Sequence, residues 1–287
     1  MVKLLLEQGV GPDNTDSNGE TPLLCAAENG RKGVVKILLG WEDVNPDTPN
    51  GEDRTPLLCA AENGHEGVVG ILLERDDVSP DRLNEDGRTP FWSAAERGHD
   101  GVVKMLLERD GVDPNKRGTY GRTPIWSAAF YEHEGVVRIL LGRDDVNPDM
   151  PDTNGRTPLW GAAENGNEGV VRILLGRGDV NPDKPDGDGR TPLWGAAENG
   201  HEGVVKILLG REDVNPDTPD IYGQTPLLCA TESGHEGVVK ILLGRGDVNP
   251  GNPGGDHRTP RWWTTNYLYA QVIALLQRSQ FPTPDKA

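Results

Sequence analysis

The chain has 287 residues, in which 29 lysines and arginines face 46 aspartates and glutamates, so its net charge is −17. That charge argues against binding to nucleic acid or to an anionic membrane surface, because both would repel an acidic protein. The sequence has no apolar run near 18 residues, so no membrane-spanning helix is expected.

A Thr-Pro pair recurs every 34 residues, from Thr21 to Thr259. Self-similarity at a fixed period of this length is typical of repeat arrays, in which each unit buries its apolar face only against its neighbours. We therefore expect a partial N-terminal repeat (second helix and finger only) at 1–20, seven full repeats over 21–258, and a degenerate C-terminal capping repeat with a tail at 259–287. The full repeats start at 21, 55, 89, 123, 157, 191 and 225. The incomplete first repeat suggests that the chain is a fragment of a longer protein or a truncated product.

The repeat from Thr191 shows how one unit should fold. Thr191 suits an N-cap and Pro192 suits the first position of a helix, which Gly200 should end. Residues 201–203 should turn the chain into a second helix, whose valines and leucines over 204–209 share one face. The segment that follows is rich in Asp, Pro, Asn and Gly and predicts a hairpin finger.

These residues resemble the ankyrin repeat. The resemblance rests on Thr-Pro-Leu, Ala196-Ala197, Gly200-His201, the run VVKILL and Asp213-Val214-Asn215. The chain departs from the family in its 34-residue period and in the Trp or Leu that replaces the usual His after Thr-Pro-Leu or its equivalent. The resemblance implies an all-α ankyrin-repeat solenoid of helix-turn-helix units with β-hairpin fingers.

The same resemblance implies a non-catalytic protein–protein interaction scaffold that binds a partner protein through its concave helix and finger surface. The near-identical repeats are similar to fungal ankyrin arrays, some of which are attached to NACHT-type receptors. A first alternative is therefore a ligand-sensing or regulatory segment of such a receptor. A second is a structural array that associates with itself. We find no set of catalytic residues and no cofactor motif.

One repeat breaks the pattern along the chain. The repeats from 21, 55 and 89 are regular, but in the repeat from 123 the usual Glu-Asn-Gly is replaced by Phe130-Tyr131-Glu132. Two adjacent aromatics at the end of a first helix are candidates for a binding hot spot. Sequence drift, or local repacking over the lost glycine, explains them equally well. Tyr120 and the pair Ile221-Tyr222 lie at finger tips and could extend such a patch.

Two further rows recur at the same period. The third position after Thr is tryptophan in four consecutive repeats and again at Trp262: Trp92, Trp126, Trp160 and Trp194. Either these side chains pack in the core, or they form an exposed aromatic stripe. An arginine directly precedes Thr-Pro in most repeats: Arg54, Arg88, Arg122, Arg156, Arg190 and Arg258. These arginines would either offset the charge of the acidic fingers or form a row of positive charge that binds carboxylates of a partner. We take the four tryptophans, Arg122 and Arg156 as candidate partner-binding residues.

The remaining reactive side chains follow the repeat. Five histidines occupy one slot per repeat, too far apart to share a metal ion, so we expect a role in turn structure: His65, His99, His133, His201 and His235. Cys25, Cys59 and Cys229 also share one slot of the repeat. At the usual helix-packing distance, this slot lies about 10 Å from the same slot in an adjacent repeat. No disulfide spans that distance, so three unpaired thiols favour a reducing, cytoplasmic compartment. The expected partner is a protein with a basic or apolar patch. We do not expect this chain to bind a metal ion, nucleic acid or a membrane.

Overall fold

The computed structural model describes residues 11–252 and 254–255. The chain divides into two compact units, Met1–Asn147 and Pro148–Ala287. The first holds eight α-helices in its described residues: α1 Pro22–Glu28, α2 Lys32–Leu38, α3 Pro56–Glu62, α4 Glu66–Leu73, α5 Pro90–Glu96, α6 Asp100–Leu107, α7 Pro124–Phe130 and α8 Glu134–Leu141. The second holds six: α9 Pro158–Glu164, α10 Glu168–Leu175, α11 Pro192–Glu198, α12 Glu202–Leu209, α13 Pro226–Glu232 and α14 Glu236–Leu243.

This order gives two helices per 34-residue repeat, as the sequence predicts. Within each unit the first helices of successive repeats pack side by side, and so do the second helices. Several predictions lie outside the described residues: the helix predicted for the partial first repeat, Arg258, Trp262 and the capping repeat predicted from 259. No helix in the described part of the chain is long and apolar enough to cross a lipid bilayer.

The first helix of each repeat is fixed by its Thr-Pro pair. The threonine hydroxyl accepts a hydrogen bond from the backbone N–H three residues later at 3.0 to 3.3 Å, and the proline occupies the first turn. The threonines are buried, so this cap satisfies a donor that water could not reach. The predicted N-cap is therefore confirmed.

The second helix begins earlier than the sequence suggested. Helix α12 starts at Glu202, so Glu202 and Gly203 belong to the helix and not to a three-residue turn. The chain is redirected by Gly200, with φ +76°, and by His201, with φ −80° and ψ 77°. A glutamate in the first turn also suits the positive end of the helix dipole, which explains why the helix can begin there.

The turn between the helices joins one repeat to the next. Gly64 has φ +70°, and a Cβ at this position would lie 2.6 Å from Nδ1 of His99 in the next repeat. The Nε2 of His99 donates to the carbonyl oxygen of Glu62 at 2.9 Å. The other four histidines bind the carbonyl oxygen 37 residues earlier in the same way, at 2.8 to 2.9 Å. The structural role predicted for the histidine row is confirmed.

The fingers differ from the β-hairpins that the resemblance implied. The described residues contain no β-strand. In the finger at 186–190, Oδ1 of Asp186 accepts the backbone N–H groups of Asp188 and Arg190, both at 2.9 Å. The N–H of Gly187 donates to the carbonyl oxygen of Asn154 in the preceding finger at 2.8 Å. Each finger is therefore a turn held by hydrogen bonds to an aspartate side chain. Neighbouring tips share one backbone hydrogen bond, which is too few to form a β-ladder.

A half-buried aspartate supports the start of the next finger in several repeats. In the second unit, Oδ2 of Asp217 accepts the backbone N–H of Asn249 at 2.8 Å, and Asp183 accepts that of Asn215 at 3.3 Å. Burial is the main cause that raises the pKa of both carboxyl groups above the usual range. One repeat of the first unit has Asn115 in this slot, and its side-chain amide also donates to the carbonyl oxygen of Asp145 at 2.6 Å.

The turn geometry predicts the effect of adding one methyl group. Gly64→Ala should lower the free energy of unfolding by about 1–3 kcal/mol, because alanine is strained at this φ and its Cβ collides with the His99 ring. Gly33→Ala is the matched control, since a Cβ there meets nothing within 4 Å. Urea unfolding of both variants measures the difference, and an equal stability would contradict this description of the turn.

The finger aspartates predict a pH effect. Because their folded pKa is raised, ionisation opposes folding, so their favourable contribution is present at low pH and is lost as the pH rises through the folded pKa. The double variant Asp183→Asn/Asp217→Asn should raise Tm at pH 7 by a few degrees. The side-chain amide of Asn115 already forms hydrogen bonds in the equivalent slot, so an asparagine fits there. It should also flatten the fall of Tm between mildly acidic and neutral pH. Calorimetry over that range tests this, and a lower Tm at pH 7 would refute it.

Candidate functional site

The altered turn of the repeat from 123 carries a column of aromatic rings. The rings of Trp126 and Phe130 are stacked, with centroids 5.1 Å apart and planes at 17°. Tyr131 meets Phe130 edge-on at 5.1 Å and 80°. Trp126 is buried, Phe130 is half-buried and Tyr131 is 47% exposed. The column therefore runs from the core to the surface and ends in an accessible phenol ring.

Arg122 joins these rings to the finger. Its guanidinium carbon lies 3.8 Å from the ring centroid of Trp126, 5.2 Å from that of Phe130 and 5.5 Å from that of Tyr120. Tyr120, at the finger tip, is 69% exposed. Cation–π attraction favours each of these contacts by about 0.5–2 kcal/mol. The structure thus brings five predicted residues into one cluster, which we call the aromatic cluster: Tyr120, Arg122, Trp126, Phe130 and Tyr131.

Phe130 adds an aromatic ring to the contacts of this arginine. In two other repeats of the first unit, the slot of Phe130 holds a glutamate that pairs with the repeat's arginine: Arg54 with Glu62 at 2.8 Å, and Arg88 with Glu96 at 3.3 Å. Phe130 offers an aromatic face in place of that carboxylate. Arg88 also lies over its tryptophan, at 4.9 Å, so the pattern break extends an existing stack by one ring.

The backbone around the cluster is strained. Three non-glycine residues in the described part of the chain have positive φ, and two of them flank the cluster: Tyr120 at 58° and Glu132 at 63°. Such conformations cost about 1–3 kcal/mol each and persist where the surrounding structure enforces them. Glu132 keeps the conformation that glycine adopts in the other turns, so the loss of glycine did not change the turn.

A shallow depression lies beside the aromatic cluster. It has a volume of about 520 Å³ and is lined by Arg88, Glu96, Arg97, Tyr131 and His133. Arg97 also pairs with Glu62 at 3.3 Å. Glu96 and Arg97 come from the preceding repeat, and Arg88 is the last residue of the repeat before that. Neither Glu96 nor Arg97 was among the residues predicted from the sequence, although Arg97 replaces the asparagine that most repeats carry in its slot.

The tryptophan row is buried, which removes the exposed stripe as an interpretation. Trp92, Trp126, Trp160 and Trp194 are all nearly inaccessible to solvent. The indole N–H groups of three of them donate to the carbonyl oxygen 30 residues later at 2.9 to 3.1 Å: Trp92 to Arg122, Trp160 to Arg190 and Trp194 to Gln224. Their side chains fill the interior and secure the next repeat, so a role in partner binding can only be indirect.

The arginine row lies over the tryptophan row. The guanidinium carbons of Arg88, Arg156 and Arg190 are 4.9, 4.1 and 4.6 Å from the ring centroid of the tryptophan four residues later. Arg156 also approaches Glu164 at 3.8 Å and the buried Asp186 at 3.7 Å. These contacts favour the local, charge-offsetting interpretation of the row over a free cationic line.

The second unit has its own exposed tip. Ile221 and Tyr222 are 63% and 60% exposed. They line a depression of about 640 Å³ together with Gly223, Gln224 and Gly255. Tyr222 occupies the same slot of its repeat as Tyr120. The tip position predicted for both residues is therefore confirmed, whereas binding by either is still a prediction.

The thiols are unsuited to nucleophilic chemistry. Burial raises the pKa of Cys59 to about 12 and also raises the pKa of Cys229 and Cys25. At neutral pH the thiolate form of these side chains is therefore disfavoured. Among the described residues, no group of three or more histidines, cysteines, aspartates or glutamates is arranged to hold a metal ion.

Comparison with known proteins agrees with this architecture. The family model for ankyrin repeats (3 copies) matches the chain at 1–84, 34–118, 76–150, 111–185 and 178–252, which together run through residues 1–252. No curated protein matches the chain significantly. The matches cover the repeats that carry the aromatic cluster and the exposed tip at Ile221-Tyr222.

The buried indole bonds predict the cost of removing one donor. Trp194→Phe keeps an aromatic ring but leaves the carbonyl oxygen of Gln224 without the indole N–H, so the free energy of unfolding should fall by about 1–3 kcal/mol. Leu228→Phe is a suitable comparison, because it changes the same slot of the next repeat where no indole exists. Hydrogen exchange of the amides near Gln224 should accelerate in Trp194→Phe alone, and unchanged exchange there would contradict the role assigned to the indole.

Proposed function

The chain belongs to the ankyrin-repeat family, and we propose that it binds a partner protein through the aromatic cluster of its first unit. Ankyrin repeats are protein–protein interaction modules, and proteins built from them are typically non-enzymatic scaffolds. The observation that carries the proposal is the exposed pair Tyr120 and Tyr131, held by contacts that reach the buried ring of Trp126.

The order of this cluster favours binding. Tyr131 packs on Phe130, Phe130 stacks on Trp126, and Arg122 lies over both rings and Tyr120. A partner would meet a surface whose side chains are already ordered, so association would cost little conformational entropy. Aromatic and arginine side chains are also the types that most often dominate the energy of an interface.

Strain supports function over drift. If Phe130 and Tyr131 had arisen only to repack a turn that lost its glycine, the turn would be expected to relax. Instead Glu132 retains a left-handed φ of 63°, and Tyr120 has a left-handed φ of 58° on the other side of the cluster. Positions that retain such strain are concentrated at functional sites.

The pair Ile221-Tyr222 is a second proposed contact, in the other unit. Its two exposed side chains and the adjacent depression resemble the tip at Tyr120 in composition. The reducing, cytoplasmic location rests on the three unpaired cysteines.

Affinity capture with the full chain tests the proposal. The baits are the wild type, Tyr120→Ala/Tyr131→Ala, and the control Ile37→Ala, which removes a large exposed apolar side chain from a second helix. Both tyrosines are substantially exposed, so the double variant should fold, and its circular dichroism and Tm verify this. At least one protein should be recovered about tenfold less with the double variant, a loss of 1.4 kcal/mol, and equally with the control.

Equal recovery of every captured protein by all three baits would refute the proposal. Phe130→Ala provides a graded test, because it removes the ring that supports Tyr131 while it leaves both tyrosines in place. Its effect on recovery should lie between those of the wild type and the double variant.

A further inference from the structure

The finger tips of the first unit present mostly negative charge. Five carboxylates on these tips are exposed to solvent, and Glu132 adds another beside Tyr131: Asp16, Glu52, Asp53, Glu85 and Asp86. The net charge of the whole chain has the same sign, at −17. A partner that approaches this surface therefore meets an attractive field only if it is basic.

The arginines of the same surface do not balance those carboxylates. Arg54 lies between Glu28 at 3.6 Å and Glu62 at 2.8 Å, and its side chain is only 22% exposed. Arg88 pairs with Glu96 at 3.3 Å and lies over the ring of Trp92. Arg122 lies over the rings of the aromatic cluster. Arg82 approaches Asp53 at 3.8 Å, and the exposed Arg97 pairs with Glu62 at 3.3 Å. The first unit's tips therefore carry some positive charge of their own, but carboxylates predominate among their exposed residues.

The exposed rings have the chemistry to receive a cation. In this chain the guanidinium groups of Arg88 and Arg122 already lie over tryptophan rings, at 4.9 and 3.8 Å. Tyr131 is half exposed and is followed directly by the carboxylate of Glu132. A phenol face next to a carboxylate fits a side chain that can both stack and form hydrogen bonds. Arginine does both, whereas lysine offers only a compact charge.

We propose that the partner of the aromatic cluster is an arginine-rich segment, with an arginine side chain stacked on Tyr131 and paired with Glu132. Further arginines of the segment face the carboxylates of the finger tips at 52–53 and 85–86. This inference rests on the proposed function and specifies the chemistry of its partner.

Fluorescence anisotropy with a labelled peptide of alternating arginine and serine tests the inference at about 150 mM salt, where long-range attraction is screened. Two matched peptides replace arginine by lysine or by citrulline, a neutral isostere. The arginine peptide should bind most tightly. Tyr131→Ala should weaken its binding about fivefold and Tyr131→Phe should leave it nearly unchanged, since phenylalanine keeps the ring face.

A matched pair of charge variants separates the site from general attraction. Glu132→Gln should weaken binding of the arginine peptide about threefold. Glu108→Gln removes the same charge from an exposed position at the end of α6 and should have no effect. If both variants weaken binding equally, if Tyr131→Ala has no effect, or if the citrulline peptide binds as well, the inference is wrong.

Competition keeps this failure distinct from failure of the proposed function. The arginine peptide should displace the protein whose capture depends on Tyr120 and Tyr131. If that dependence holds but the peptide neither binds nor competes, the binding site stands and the arginine-rich partner is refuted. If no captured protein depends on the two tyrosines, the proposed function itself fails.

Discussion

Packing of each 34-residue repeat against its neighbour is the constraint on which the rest of this structure depends. Helices of seven or eight residues are too short to be stable alone in water, so each needs the next repeat. Within each unit, the neighbour also supplies hydrogen-bond partners at fixed offsets. A histidine binds the carbonyl oxygen 37 residues earlier, and an indole binds the one 30 residues later. An extra or missing residue in one repeat would break all these bonds together.

Because of that constraint, few side chains can change without disturbing the packing between repeats. The aromatic cluster shows which positions can. Core and turn side chains pack against the neighbouring repeat, whereas the end of a first helix and the finger tip bond the neighbour mainly through the backbone, so their side chains are less constrained. Phe130, Tyr131 and Tyr120 occupy those less constrained places. The exchange of a glutamate for Phe130 changes the surface while Trp126 remains in its buried position. A repeat array can therefore acquire a specific surface without loss of its interior.

Much of this architecture could be predicted from the sequence, because the same capping and turn residues recur at the same positions of successive repeats. Thr-Pro at 191–192 and Gly200 predict the bounds of α11, and the histidine slot predicts a structural role. The stacking of Arg122 on three rings could not be predicted, since it depends on distances between slots that only the packed array defines. Glu96 is the usual residue of its slot and carries no signal, whereas Arg97 replaces the usual asparagine and could have been noticed. The fingers lack strands because Asp186 closes the turn with its side chain.

The most direct test of the account is site-specific photo-crosslinking in the full chain. A photoreactive phenylalanine derivative would replace Tyr131 in one variant and Ile37, on a second helix, in the other. The account predicts that irradiation in lysate links a discrete partner at position 131 and that the same partner is absent at position 37. A partner linked at 37 and not at 131, or equally at both, would contradict the claim that the aromatic cluster is the binding site.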